Sequence, residues 1–555
     1  MSDNLLETAL RLHQAGNLAQ AGRIYSDILR NDPRHFEALY RLALVHYQSG
    51  RFPDAERLFA VAVRVYPNIP DLSYGHGCAL QQMQRYEEAL ASFARALALR
   101  PDFIEARNNR GVTLLKMKRY QEALAVFEVL KAKDDHGRAL IFNNRAAALL
   151  GLKRHEEALP WIEQSLALIS DQPDSLNTHA AILMALGRYE EALASYDRAL
   201  QLQPDFAEAL NHRGSALREL NRLDEALASY SRALQVQPNY ADAHNSRGLL
   251  HLLLGRFRDG WIDHEWRWST DSVDTKRPAI NAKTWQGEDL SGRKIAVYSE
   301  QGFGDIIHFA RYLPLLVKRG AKVTFSAPEN LSRLLTSLPS GIAIVDSIDQ
   351  TEWFDFQCAL MSLPLFVRTE LKSIPNDVPY LAPEQDLVAR WKKKIGENGF
   401  KVGISWQGAP GVAIDRGRSI PLSAFVPLAR VKGVRLISLQ KTHGLEQLDD
   451  LTDDVEVETL GDEFDGGGDA FIDTAAVMSQ LDLVITSDTS IAHLAGALAR
   501  PTWVALKRVP DWRWLLDRDD SPWYPTMRLF RQQTAGDWPS VFARIEQELR
   551  SRLAV

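Results

Sequence analysis

Small and large apolar residues recur at a fixed distance through the first 260 positions of the chain. The segment Gly50-Arg-Phe-Pro-Asp-Ala-Glu-Arg-Leu-Phe59 returns as Gly187-Arg-Tyr-Glu-Glu-Ala-Leu-Ala-Ser-Tyr196. Equivalents of its first position fall at 16, 50, 84, 118, 153, 187, 221 and 255, a spacing of 34 with a single 35. Five residues after each comes a small residue, and four later a large one: Ala21/Tyr25, Ala55/Phe59, Ala89/Phe93, Ala123/Phe127, Ala158/Ile162, Ala192/Tyr196 and Ala226/Tyr230. The pattern predicts paired helices, close at the alanine and filled by the large residue beside it. Pro33, Pro67, Pro101, Pro204 and Pro238 close several units, because proline cannot continue the preceding helix. An eighth unit departs from the pattern, with Gly260 and His264 at the small and large positions, which suits a cap or a junction.

These units resemble the tetratricopeptide repeat. Each buries its faces only against neighbours, so an all-α superhelix with a concave groove is expected over about 1–268, in seven to eight units. Asn108, Asn143, Asn177, Asn211 and Asn245 recur at 34 or 35 residues, ten before each repeat's turn position. On the first helix of each unit they line the concave face, where amides can hydrogen-bond an extended peptide backbone without reading its side chains. They equally suit the local pattern of such repeats.

The period then stops. Of 13 tryptophans, only Trp161 precedes residue 260. A polar connector is expected over about 269–290. Short apolar runs then alternate with amphipathic stretches, with expected strands at Lys294–Ser299, Lys322–Ser326, Ile342–Val345, Val402–Trp406, Val434–Leu439, Asp482–Thr486 and Thr502–Leu506. Strand–helix alternation predicts parallel α/β sheets. A break at Pro379-Tyr-Leu-Ala-Pro383, followed by a charged helix, divides this half into subdomains of about 291–390 and 395–555. The latter ends in a C-terminal helix. A cleft between two such halves is the usual place for a ligand.

Composition narrows the picture slightly. The 555 residues exceed one core, and 45% hydrophobic with 25% charged residues is ordinary for a globular protein. A net charge of −6 gives no reason to expect nucleic acid. No basic-then-apolar leader opens the chain, and no apolar run is long enough to span a membrane. Two cysteines, Cys78 and Cys358, fit a reducing cytoplasm and make a cysteine-based zinc site improbable.

Three segments carry candidate chemistry. Gln301-Gly302-Phe303-Gly304-Asp305 leads from a strand into a helix. Alone, Asp305 reads as a first-turn acid, and the glycines would let a substrate approach the backbone. Asp488-Thr489-Ser490 ends a strand and opens a helix carrying His493 one turn in, a phosphate-sized anion site. Trp406-Gln407-Gly408, with Arg416 and Arg418, forms a strand and basic loop able to clamp phosphate, and Gln440-Lys441 adds a weaker signal.

Together these segments, and the tail from Pro510 to Gln532, resemble the heptosyltransferase-like family 9 glycosyltransferases, in bacterial forms fused to tetratricopeptide repeats. The resemblance implies a GT-B fold of two Rossmann-like subdomains and inverting, metal-independent transfer from a nucleotide-sugar, which is a co-substrate and not a cofactor. It implies Asp305 as general base and the 488–493 segment as the donor phosphate site. It also implies a protein Ser/Thr acceptor, flagellin for instance, held by the repeat groove. A lipopolysaccharide or other saccharide acceptor, or a non-catalytic scaffold, are the alternatives. Ser299 stands where the family has a lysine, and the family's donor-contacting lysine has no obvious counterpart beyond Arg416 or Arg418. Asp517-Arg-Asp519 reads as packing.

Overall fold

A computed structural model describes residues 2–270, 277–349, 351–409 and 417–554. The chain divides into two compact units, Met1–Ala216 and Leu217–Val555.

The first unit is helical throughout, its helices packing one on the next in sequence order. The crossing alanines 21, 55, 89, 123, 158 and 192 are fully buried, and Tyr25, Phe59, Phe93, Phe127, Ile162 and Tyr196 beside them are buried as well. The aromatic occupies space that a facing side chain cannot share. A Cβ added to Gly111 would lie 2.5 Å from the Phe127 ring, and one added to Gly77 would lie 2.6 Å from that of Phe93. The eight turn positions share one backbone conformation. Gly16, Gly50, Gly187 and Gly255 have φ of 71° to 77°, while Gln84, Lys118, Lys153 and Asn221 have φ of 58° to 61°. Each ends the first helix of a pair in the left-handed region, the usual way to stop a helix and reverse the chain.

The second unit opens with the last repeats. The seventh pair retains buried Ala226 and Tyr230. The eighth keeps its helices, Ala241–Leu253 and Phe257–His264. Gly260 is needed there for close approach, since a Cβ would fall 2.6 Å from Leu252 Cδ2. This pair packs into the α/β part. Trp261 Nε1 donates to the Thr369 carbonyl at 3.1 Å, and its ring meets Trp512 edge-on at 5.2 Å. Arg267, fully buried, makes a bidentate pair with buried Glu300 at 2.8 Å for both bonds. The compact division therefore falls at 216/217 and not at 268: the expected junction repeat has become part of the second core.

Two parallel sheets follow. The first has the order β1-β5-β2-β3-β4, from β1 (Lys283–Thr284), β2 (Lys294–Tyr298), β3 (Lys322–Ser326), β4 (Ile342–Val345) and β5 (Phe356–Ala359). The second has the order β11-β10-β9-β6-β7-β8, from β6 (Phe400–Ser405), β7 (Val434–Ser438), β8 (Val457–Glu458), β9 (Leu483–Ser487), β10 (Thr502–Leu506) and β11 (Met527–Arg531). β1, β5, β8 and β11 were not anticipated. The 2-residue β1 and β8 are too short to leave a pattern. β5 carries Gln357 mid-strand, whose Nε2 donates to the carbonyls of Ala282 (2.8 Å) and Ile280 (3.1 Å), so a polar residue ties down the edge. The C-terminal helix Trp538–Leu553 covers the second sheet, with Phe542 against Phe425 at 4.5 Å between ring centroids.

The chain order reverses at β2 in the first sheet and at β6 in the second. β2 lies between β3 and β5, and β6 between β7 and β9. Ligands of open α/β sheets bind beyond the carboxyl ends of strands at such switch points. The segments 301–305, 406–408 and 488–490 occupy those ends.

Candidate functional site

Asp305 is the third residue of the Phe303–Ala310 helix, and its carboxylate has two partners. Oδ2 accepts from the Gly302 backbone N–H at 3.3 Å, as an acid reaching back to an N-cap does. Oδ1 accepts from Arg513 Nη2. The first-turn role expected of Asp305 taken alone is present, and a second role is added to it. Burial pushes its carboxyl above the ordinary value, against the opposing pull of Arg513.

Arg513 belongs to a short turn, Trp512–Trp514, capped by Asp511. Asp511 Oδ1 accepts from the Arg513 backbone N–H at 3.0 Å and from its Nη1 at 2.8 Å. The guanidinium lies 4.4 Å from the Trp512 ring centre. Asp488 feels the same charges. Burial and the Asp511 carboxylate push it up to about 6, while Arg418 and Arg513 pull it down. Three carboxylates thus surround one buried guanidinium.

The helix Ser490–Ala497 starts directly against the Gly304 turn. A Cβ on Gly304 would lie 3.2 Å from His493 Cδ2 and 3.4 Å from Ser490 Cα. Gly304 is therefore required by the meeting of two helix starts, and the expectation that it leaves room for a substrate is corrected. Gly302 and exposed Gln301, whose φ is 61°, leave the turn open on its outer side. Thr489 is the N-cap, and its hydroxyl lies 3.4 Å from that of Thr486. His493 stacks flat on Trp514, with centroids 5.5 Å apart and 7° between planes. Its Nδ1 meets the Tyr524 hydroxyl at 3.1 Å.

The basic loop contributes in part. Arg416 lies outside the described residues. Arg418 is close enough to bias both Asp488 and His493 electrostatically. Several other candidate side chains are turned inward. Trp406 is fully buried, with Nε1 donating to the Gly444 carbonyl at 3.0 Å. Gln440 Oε1 accepts from the backbone N–H groups of Trp406 (3.1 Å) and Gln407 (3.2 Å), and its Nε2 donates to the carbonyls of Gln407 and His443, both at 2.8 Å. Lys441 Nζ donates to the Phe464 carbonyl. Gln407 Oε1 accepts from Gln447, and the Gly408 N–H donates to Ser419 Oγ. These residues shape the loop after β6 more than they offer groups to a ligand.

Of the five candidate asparagines, Asn108, Asn143, Asn177 and Asn211 are buried and Asn245 is half-buried. In the first unit, Asn144 Nδ2 donates to Asn108 Oδ1 at 3.0 Å, and Asn177 Nδ2 donates to Glu208 at 3.1 Å. Oδ1 of Asn143, Asn177 and Asn211 are buried without a hydrogen-bond partner. In the second unit Asn245 Oδ1 meets His264 Nδ1 at 3.1 Å.

The sequence pattern does not single out Arg513, Tyr524 or His308: the first two lie in the tail 510–532, which carries the resemblance as a whole, and His308 lies in the apolar helix after the Asp305 turn.

Comparison with known proteins bears on the helical part. Models described as tetratricopeptide repeats match residues 6–70, 74–138, 180–217 and 214–255. The helical pairs are tetratricopeptide repeats. The chain is also similar to Protein FlbA of Caulobacter vibrioides (strain ATCC 19089 / CIP 103742 / CB 15), 27% identical over 321 residues, 54% of this chain and 53% of the relative. It thus spans about half the length of that curated relative. Among solved structures, it is similar to a tetratricopeptide repeat protein from Parabacteroides merdae ATCC 43184, at 15% identity and a TM-score of 0.40, over 45% of this chain and 98% of that one. It is similar too to YrrB, a TPR protein described as having an unusual peptide-binding site, at 21% identity and a TM-score of 0.26, over 34% of this chain and 98% of that one. Among the described residues, no helix is long and apolar enough to cross a membrane.

Proposed function

We propose that the α/β half is a GT-B glycosyltransferase that moves a sugar from a nucleotide-sugar donor, with inversion, to a protein Ser/Thr acceptor presented by the repeats. The observation that carries this reading is the meeting of two chain-distant segments. The Asp305 turn follows β2, the 488–493 helix start follows β9, and Gly304 touches His493 and Ser490.

The parts suffice for the chemistry. The donor phosphates rest at the Ser490–Ala497 helix start, where backbone N–H groups and the helix dipole favour an anion, with Arg418 and His493 beside them. The acceptor oxygen forms its bond to the anomeric carbon as the carbon–oxygen bond to phosphate breaks, and the electron pair leaves with the phosphate. Asp305 takes the acceptor hydroxyl proton. Its upward-pushed carboxyl makes it a better base than an ordinary aspartate. Arg513 holds that carboxylate in place, and Arg418 and the helix start stabilise the departing charge.

The tetratricopeptide repeats themselves, a fold with extended surfaces for protein partners, support the acceptor half of the reading. The test is the intact mass of a flagellin co-expressed with the protein. Gain of whole sugar masses, lost with Asp305→Ala, supports the proposal. An unchanged gain with Asp305→Ala removes Asp305 as the base. Glycosylation of a saccharide acceptor by a variant lacking residues 1–216, with no change to protein acceptors, would favour the saccharide alternative.

A further inference from the structure

Two histidines converge on one hydroxyl. His308 Nδ1 and His493 Nδ1 each lie 3.1 Å from Tyr524 Oη, and the two rings sit 5.1 Å apart. A tyrosine hydroxyl carries a single hydrogen, so at most one ring can accept from it and at least one must donate its own Nδ1 proton.

The surroundings decide which is which. His308 is fully buried, and its Nε2 has no partner. Rings of Trp523, at 4.6 Å, and Phe309, at 4.8 Å, close around it. A proton on that nitrogen would be a buried N–H with nothing to bond, a state that folded proteins rarely leave. The proton on Nδ1 instead donates to Tyr524 Oη. That leaves the hydroxyl hydrogen for His493 Nδ1, and an imidazole that accepts it carries its own proton on Nε2.

Both rings are held neutral and still. Burial first, and then the charges of Arg311 and Arg513, with Arg418 also acting on His493, drive both histidines well below the ordinary range. Arg311 is itself pinned, with Nη1 on the Trp523 carbonyl at 2.6 Å and its guanidinium 4.2 Å from the Tyr524 ring centre. At His493 the flat Trp514 contact and the Gly304 turn fix the ring plane.

We infer that His308 and Tyr524 are positioning residues, forming a buried relay that fixes His493, one turn into the helix that starts at Ser490, as a neutral imidazole with its proton on Nε2. This rests on the reading of that helix start as a phosphate site. A neutral donor suits a phosphate oxygen that must be bound and then released, because it adds no full charge to the product complex.

The test is nitrogen NMR of the full chain carrying ¹⁵N-histidine, with His308→Asn and His493→Asn for assignment. The expected result at pH 7 is His308 protonated on Nδ1 and His493 on Nε2. In Tyr524→Phe, His308 should lose that tautomer, since its acceptor is gone. Finding His308 on Nε2, His493 on Nδ1, or either ring charged would overturn the relay. Inorganic pyrophosphate is expected to shift the His493 Nε2 signal in the wild-type protein. Correct tautomers with no response to pyrophosphate would leave the relay standing and remove the phosphate site.

Discussion

Asp305 and Arg513, 208 residues apart in the chain, form an ion pair with both side chains largely buried. The pair ties the turn after β2 to the turn that follows β10. Burial raises the Asp305 carboxyl and Arg513 opposes it. Replacing Arg513 with alanine removes the opposing charge, so the Asp305 carboxyl should climb further. The ascending limb of kcat/KM against pH is expected to move at least one unit toward alkaline pH, and stability to fall by about 3 kcal/mol because a buried charge loses its partner. Arg513→Lys should keep the limb nearer its original place. A limb unmoved in Arg513→Ala means that Asp305 is not the group that titrates.

Asp488 carries a cost that its removal should relieve. Its folded value of about 6 stands above its ordinary value of 3.8. The folded state then binds the proton more tightly than the unfolded chain, and stability falls as pH rises from about 4 to 6. Asp488→Asn is expected to be more stable than wild type at pH 7, by roughly 2 kcal/mol, and to lack that slope. Urea unfolding at pH 4.5 and 7 measures both. Equal slopes in the two proteins would remove Asp488 as a strained acid.

Gly304 and Gly302 should respond differently to alanine. At Gly304 the added Cβ meets the His493 ring at 3.2 Å, whereas at Gly302 the nearest atom is Asp305 Oδ2 at 3.7 Å. Gly304→Ala is expected to cost about 1–2 kcal/mol and to weaken nucleotide binding at least tenfold. Gly302→Ala, at an ordinary φ of −83°, should change stability by less than about 0.5 kcal/mol. Calorimetry on both variants separates close packing from a need for open space.

The repeat turns give a test independent of the site. Gln84 holds φ of 58°, a conformation that costs a side chain and that glycine adopts freely. Gln84→Gly should stabilise the protein by about 0.5–1 kcal/mol, and Gly187→Ala should destabilise it by a similar amount. Thermal unfolding checks both signs.

Much of this architecture is legible in the chain because its cause is local. The alanine and large apolar residue of each repeat lie four residues apart, and both positions are buried in seven units. β3, β4 and β10 fall where their apolar runs predict. The site is only half legible. Asp305 and Asp488 stand at strand ends and can be found by that placement. Arg513 cannot, because its role is created by a pairing across 208 residues. Trp406 reads as a ligand group because its neighbours Gln407 and Gly408 look like a binding loop, while its indole fills the second core. His308 reads as one more residue of an apolar helix until Tyr524 is brought beside it from 216 positions away.

The central claim is that the Ser490–Ala497 helix start and the Asp305 turn together bind a nucleotide-sugar. Differential scanning fluorimetry of the full chain against a panel of nucleoside diphosphates and nucleotide-sugars tests it most directly, since a ligand of the folded state must raise Tm. The expected result is that one nucleotide family raises Tm in a concentration-dependent way, and that His493→Ala and Arg418→Ala each abolish most of the shift. No shift with any nucleotide at millimolar concentration, or a shift that both variants retain in full, would contradict it.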